Sequence, residues 1–275
     1  MSTIYEQVLR GEPIDSSPFI DTHGHFGPWS GTCIPYAMDR GRVIGEMDRF
    51  GCDMLWVSAS DPGWGDAMAV KNDYVFAFAD QYPDRIIPYC TLSANEQDGC
   101  LAELKRCLGR GRCVGVKMHV YYQPPYTLRS DFLQPIFEVL NEHKLVYINH
   151  VLMEPADYCW AVEKYPEITF VNGHAHPQVN DYAKNYSNLY DCTCAAQPPD
   201  WITNEVRRVG SSTMLVGSDF PLFCLAFGVG MVAYAQLPEG DKQNILGLNA
   251  VRIMERISWF DKSLLKRTKE EAIPA

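Results

Sequence analysis

The sequence predicts an α/β fold, a single-domain (β/α)8 barrel, on three observations. Eight apolar runs of strand length are spread evenly along the chain, segments with helical spacing alternate with them, and 275 residues suit the roughly 250 of such a barrel. In chain order, a strand at 19–21 precedes a helix at 42–50 that Gly51 stops. A strand at 54–57 precedes a helix at 67–81 closed by Pro83, and a strand at 86–90 precedes a helix at 101–108 ending at Gly109. Strands at 114–118, 145–148 and 168–171 precede helices at 132–142, 156–164 (closed by Pro166) and 179–184. A strand at 189–190 leads to a helix at 202–208 capped by Gly210, the last strand lies at 214–216, and a closing helix starts at Asn244. Alternation of this kind makes a parallel sheet with helices outside, and eight units close more readily than they stay open. No G-x-G-x-x-G follows the first strand, which argues against a dinucleotide-binding open sheet.

The domain is expected to span 1–275, with a short N-terminal extension at 1–17 and a charged tail at about 262–275. With 47% hydrophobic and 21% charged residues it has material for a large core, and its net charge of -10 disfavours nucleic acid and anionic membranes as partners. No apolar run reaches the ~18 residues of a membrane span and no leader pattern opens the chain, so a cytoplasmic location is expected. The 10 cysteines are mostly scattered and are read as reduced. Cys192 and Cys194, sharing a face of a strand, are read as core thiols in preference to half a zinc site.

Ligating side chains concentrate at the C-terminal ends of the strands, the face that carries chemistry in a barrel of this kind. Strand one ends in Asp21-Thr22-His23-Gly24-His25, where the period of two puts both histidines on one side and Asp21 on the other. Lys117 and His119 end strand four, His150 strand five, His174 and His176 strand six, and Asp219 strand eight, so six of the 7 histidines collect there. Only His143, in a helix, stands apart. Imidazole with carboxylate suits zinc or another first-row ion. Asp61 and Asp191 lie on the same face as loop caps or substrate contacts, and Arg40 and Arg129 are weaker candidates for pairing with a substrate carboxylate. Aromatic residues (Phe26, Trp29, Trp64, Tyr121, Tyr122, Tyr126, Phe220 and Phe223) crowd the loops after the strands and suit a partly apolar or ring-containing substrate.

The stretches Asp21-Thr22-His23-Gly24-His25-Phe26, Gly115-Val116-Lys117-Met118-His119, His150, His174, Gly217-Ser218-Asp219-Phe220-Pro221 and Asn244-Ile245-Leu246-Gly247-Leu248-Asn249-Ala250 occur in that order. The chain thereby resembles the amidohydrolase superfamily, in particular the amidohydrolase-related branch of hydrolases and non-oxidative decarboxylases. The resemblance implies a distorted (β/α)8 TIM barrel holding one or two divalent ions, most simply zinc, with manganese or iron as alternatives. It implies His23, His25, His150 and Asp219 as metal ligands, and Asp219 and His174 as the catalytic pair. Lys117 would bridge two ions if carboxylated and is otherwise salt-bridged or substrate-binding. His119 and His176 share strand faces with Lys117 and His174. They are candidates for a second metal, a substrate contact or a hydrogen-bonded pocket histidine, although the family usually has no ligand at the place of His176.

A divalent ion lowers the pKa of its water to about 7 and polarises a carbonyl, so Asp219 would move the proton of that water while His174 orients it or stabilises charge. The first expectation is a metal-dependent hydrolase of a small-molecule amide, lactone or ester-like bond. The alternatives are a metal-dependent decarboxylase of an aromatic or unsaturated carboxylic acid, and a barrel that binds metal or ligand without turnover. The partner expected is a small-molecule substrate, with homo-oligomers common among such barrels.

Overall fold

A computed structural model of the chain describes residues 2–28, 39–59, 67–119, 125–151, 154–196, 198–258 and 260. Eight parallel strands run in sequence order: β1 (Ile20–Phe26), β2 (Met54–Ala59), β3 (Ile86–Thr91), β4 (Gly115–Met118), β5 (Val146–Asn149), β6 (Thr169–Asn172), β7 (Leu189–Cys192) and β8 (Met214–Leu215). Between and around them, among the described residues, lie α1 (Ile4–Leu9), α2 (Arg40–Phe50), α3 (Met68–Gln81), α4 (Gln97–Gly109), α5 (Gln134–His143), α6 (Pro155–Lys164), α7 (Pro177–Ala183), α8 (Pro199–Val209), α9 (Leu225–Ala233), α10 (Glu239–Gln243) and α11 (Asn249–Met254). This is the barrel the alternation predicts. β1, β2, β4, β5 and β6 are buried at every residue, as strands covered on both faces must be, and apart from β1, whose Asp21, Thr22, His23 and His25 are polar, this is why they read as mainly apolar runs.

The ring closes through a short seam. β8 is two residues long, and beyond it the chain meets β1 by backbone hydrogen bonds: Thr22 N donates to Val216 O (3.0 Å), Asp219 N to His23 O (2.8 Å) and His25 N to Phe220 O (2.6 Å). One buried carboxylate spans the same seam, Asp21 Oδ1 accepting from His23 N at 3.0 Å and Ser218 N at 3.2 Å.

The helix signals work through their expected chemistry in part. Asp39 caps α2 by accepting from Arg42 N, and Gly51 ends that helix at φ 72. α4 runs through Gly109, and the reversal comes at Gly111 (φ 77). Three helices were not expected, the shortest being α10, which runs without a break into the closing helix. α1 lies within the stretch read as an extension and is nucleated by a capping box of Thr3 and Glu6. α9 follows β8 and reads LAFGVGMVA; being buried around most of its circumference it has no polar stripe to betray it, and its glycines argue locally for a loop. The closing helix, expected from Asn244, already starts at Glu239 with α10 and passes through a π-helical turn (Asn244–Leu248), where Gly247 lies so close to Pro18 O that a Cβ has no room. No helix among the described residues is long and apolar enough to cross a membrane.

Candidate metal and active site

Neighbouring strand ends bring the ligating side chains to one place. From β1, His23 Nε2 lies 3.5 Å and His25 Nε2 2.9 Å from Asp219 Oδ1. The imidazoles of His23 and His174 are 5.3 Å apart, centre to centre, and His174 Nε2 is 3.1 Å from His150 Nε2. His119 stacks on His150 at 3.6 Å. Donor atoms of His23, His174, Cys194 and Asp219 all fall within 4.8 Å of one another. Two glycines make the approach possible: a Cβ at Gly173 would stand 2.6 Å from Asn149 O and 3.2 Å from His23 Cε1, and one at Gly217 would overlap Cys192 Sγ and come 2.7 Å from His23 Cβ.

Second partners set the tautomers. His23 Nδ1 is 2.7 Å from Gly173 O and must donate to it, which leaves the Nε2 lone pair facing inward, where Lys117 Nζ meets it at 2.8 Å. His25 Nδ1 lies 3.0 Å from Ser58 Oγ and 3.3 Å from Ala59 O. A hydroxyl can donate or accept, so Ser58 serves His25 either when Nε2–H donates to Asp219 or when Nε2 offers a lone pair to an ion. Asp219 sits at φ 59, a left-handed conformation that asparagine and aspartate tolerate better than most residues, and its carbonyl accepts from Leu222 N at 2.9 Å.

The electrostatics suit cation binding. Burial holds His23 well below 6.5, and burial together with the Lys117 charge pushes His119 down to about 3. His174 falls to about 4, burial prevailing over the opposing Asp219 charge, and His150 is lowered by burial and Lys117. Burial pushes Asp219 up, but the hydrogen bond and charge of His25 more than offset it, leaving the carboxylate below 3.8. Near neutral pH His23, His119, His150 and His174 are uncharged imidazoles beside an ionised carboxylate, a donor set that fits a divalent transition ion. Lys117, lowered to about 8 by burial against the pull of Asp219, is poised to lose its charge if an ion arrives.

Other candidates stand elsewhere. His176 caps α7, its Nδ1 accepting from Gln178 N at 3.3 Å, and so serves the helix end. Asp191 caps the loop after β6, accepting from Asn172 Nδ2 (2.7 Å) and His176 N (2.9 Å). Arg129 pairs with Asp157 at 2.7 Å and covers Trp160, and Arg40 bonds Gln81. Phe26, expected at the rim, is buried against Phe78 and Tyr74; Phe220 is buried, and Tyr126 is buried with its hydroxyl donating to Asn149 Oδ1 at 2.7 Å. Of that aromatic rim, Phe223 is exposed, stacked on Phe227. Trp29, Asp61, Trp64, Tyr121 and Tyr122 lie outside the described residues. Sequence reasoning missed Ser58, which carries no motif, and Cys194, read as a core thiol.

Asp21, on the opposite side of β1, is raised to about 7 by burial, with the hydrogen bonds from Ser218 and His23 N partly opposing. The folded chain therefore keeps this proton up to about pH 7 while the unfolded chain releases it near 3.8, so stability is lost as pH rises through that window. The loss is on the order of 4 kcal/mol. Asp21→Asn keeps the Oδ1 acceptor and removes the charge, so the metal-free variant is expected to melt several degrees above wild type at about pH 8 and alongside it at about pH 4. Equal melting temperatures at both pH values would rule out the buried charge.

A family model described as amidohydrolase matches residues 20–255. The chain belongs to the amidohydrolase family. Its barrel is similar to a 2,6-dihydroxybenzoate decarboxylase from Rhizobium (TM-score 0.71, 14% identity, covering 86% of this amidohydrolase and 98% of that chain). It is also similar to a 5-carboxyvanillate decarboxylase from Sphingomonas paucimobilis (TM-score 0.67, 16% identity, 88% and 99% covered). A third likeness is to a 5-carboxyvanillate decarboxylase from Novosphingobium aromaticivorans with manganese and 4-hydroxy-3-methoxy-5-nitrobenzoic acid (TM-score 0.70, 16% identity, 86% and 96% covered). No curated protein sequence matches this amidohydrolase. At these identities the likeness shows the fold.

Proposed function

We propose that this amidohydrolase is a metal-dependent non-oxidative decarboxylase of an aromatic or unsaturated carboxylic acid. The observation that carries the reading is the convergence of His23, His25 and His174 on Asp219 in a barrel similar to several aromatic-acid decarboxylases. His23, His25, His150 and Asp219 would hold a divalent ion, which when bound draws a substrate carboxylate or neighbouring hydroxyl to the site and stabilises negative charge there. Zinc and manganese both suit this nitrogen and oxygen set.

The remaining work falls to the chain's own groups. Decarboxylation replaces a carbon–carbon bond by a carbon–hydrogen bond: the ring carbon accepts a proton, carbon dioxide leaves, and the bond's electron pair returns to the ring. Asp219, its Oδ1 2.9 Å from His25 Nε2, is the group placed to receive a proton and hand it to that carbon. His119 and His174 are half-buried and border this set, where they would orient the substrate's polar groups. Hydrolysis of an amide, lactone or ester-like bond is the second reading, because family membership and the same carboxylate serve it equally.

Assays of a hydroxybenzoate panel in deuterium oxide separate the two. The expected result is release of carbon dioxide with deuterium at the vacated ring carbon and no solvent oxygen in the product. Solvent ¹⁸O in the product of a lactone or amide, with no carbon dioxide from any acid tested, would establish the hydrolase instead.

A further inference from the structure

We infer that Cys194 is a further donor to the ion, giving the site a sulfur ligand that favours zinc over manganese. This rests on the reading that a divalent ion binds between His23 and Asp219. Cys194 Sγ lies within 4.8 Å of donor atoms of His23, His174 and Asp219, and is 3.6 Å from His174 Nδ1. With metal–sulfur and metal–nitrogen bonds of about 2.3 and 2.0–2.1 Å, a tetrahedral zinc held by the converging four, His23, His174, Cys194 and Asp219, would also have a sulfur-to-nitrogen edge of about 3.6 Å.

The sulfur is fully buried, and its backbone is tied on both sides. Cys194 O accepts from Ala175 N (2.9 Å), next along from His174, and Thr193 N donates to Leu215 O (2.8 Å) in β8. Ala195 then turns the chain at φ 60. The thiol is thus carried on a stiff corner of the barrel. Cys192 differs: its Sγ is 4.0 Å from His23 Nδ1, the nitrogen committed to Gly173 O, so it faces the closed side of that imidazole.

Coordination would deprotonate the thiol and release that proton to solvent, placing a second negative charge beside Asp219. Thiolate is a soft ligand, which manganese takes poorly and zinc or cobalt takes well. A thiol that merely packs on His174 would confer no such preference.

The test uses the full chain stripped of metal and reloaded with one equivalent of cobalt(II). Wild type and Cys192→Ser are expected to show a sulfur-to-cobalt charge-transfer band in the near ultraviolet, and Cys194→Ser to lack it. In zinc–manganese competition, Cys194→Ser is expected to lose about tenfold or more of the zinc preference. X-ray absorption on the zinc-loaded wild type needs no variant, and should show a sulfur neighbour at about 2.3 Å. Zinc bound by nitrogen and oxygen alone would overturn the sulfur assignment while leaving the metal reading intact. Failure to bind either metal would overturn both.

Discussion

Asp219→Asn is expected to lower kcat about a thousandfold, within the range that a positioned proton donor contributes, while the protein stays folded. Asparagine is the informative replacement because it accepts the left-handed φ of 59 found here, whereas alanine would add a backbone penalty of about 1–2 kcal/mol. The main-chain bond from residue 219 to His23 O is untouched by the change, so the end of β1 keeps its place. What is lost is the exchangeable proton opposite His25 Nε2. Turnover of an aromatic acid, metal content and melting temperature should be measured together. Wild-type turnover with metal retained would remove Asp219 from proton transfer; loss of metal with the rate would show that its ligand role dominates.

Gly115→Ala should be strongly destabilising, costing about 4 kcal/mol or more, a size reached when backbone is forced to move. A Cβ at this first residue of β4 would overlap the carbonyl of Val146 in β5, its oxygen, carbon and nitrogen all falling inside contact distance. Val116 and Tyr147 follow in register, so the two strands would have to part just below Lys117 and Ile148. Gly109→Ala is the contrast: that position ends α4 with nothing within 4 Å, and alanine there should add about 0.5 kcal/mol by restricting the unfolded chain. Chemical denaturation of the two variants checks both signs. A Gly115→Ala protein as stable as wild type would mean that β4 and β5 do not pair as described.

Most strands were legible because burial on both faces leaves them as apolar runs, and the site was legible where two side chains share a strand face, as His23 and His25 do on β1. Legibility failed where the physical cause lies outside the local pattern. α9 is apolar on most of its surface and so has no period to read. Phe26 alternates correctly with His25 but therefore points away from the mouth, against Phe78, where it was expected to line the rim. His176 continues the alternation from His174, yet the chain leaves the strand there and the imidazole caps α7. Cys194 lies two residues beyond the end of a four-residue strand, and only the fold reveals that the barrel interior at that height is the cluster. Ser58 ends an ordinary buried strand, and its role follows from what β1 places beside it.

The seam between β1 and the chain after β8 has a consequence for the order of events during synthesis. His23 and His25 leave the ribosome almost two hundred residues ahead of Asp219, the carboxylate of the proposed ligand set. Domains of this size commonly pass through partly folded intermediates, and here every such intermediate that lacks the last turn of the ring also lacks the carboxylate. An ion that binds only the completed set would favour the finished molecule by mass action over any open one. A truncated or stalled chain would be released without the group proposed to move the proton, and so inert toward substrate.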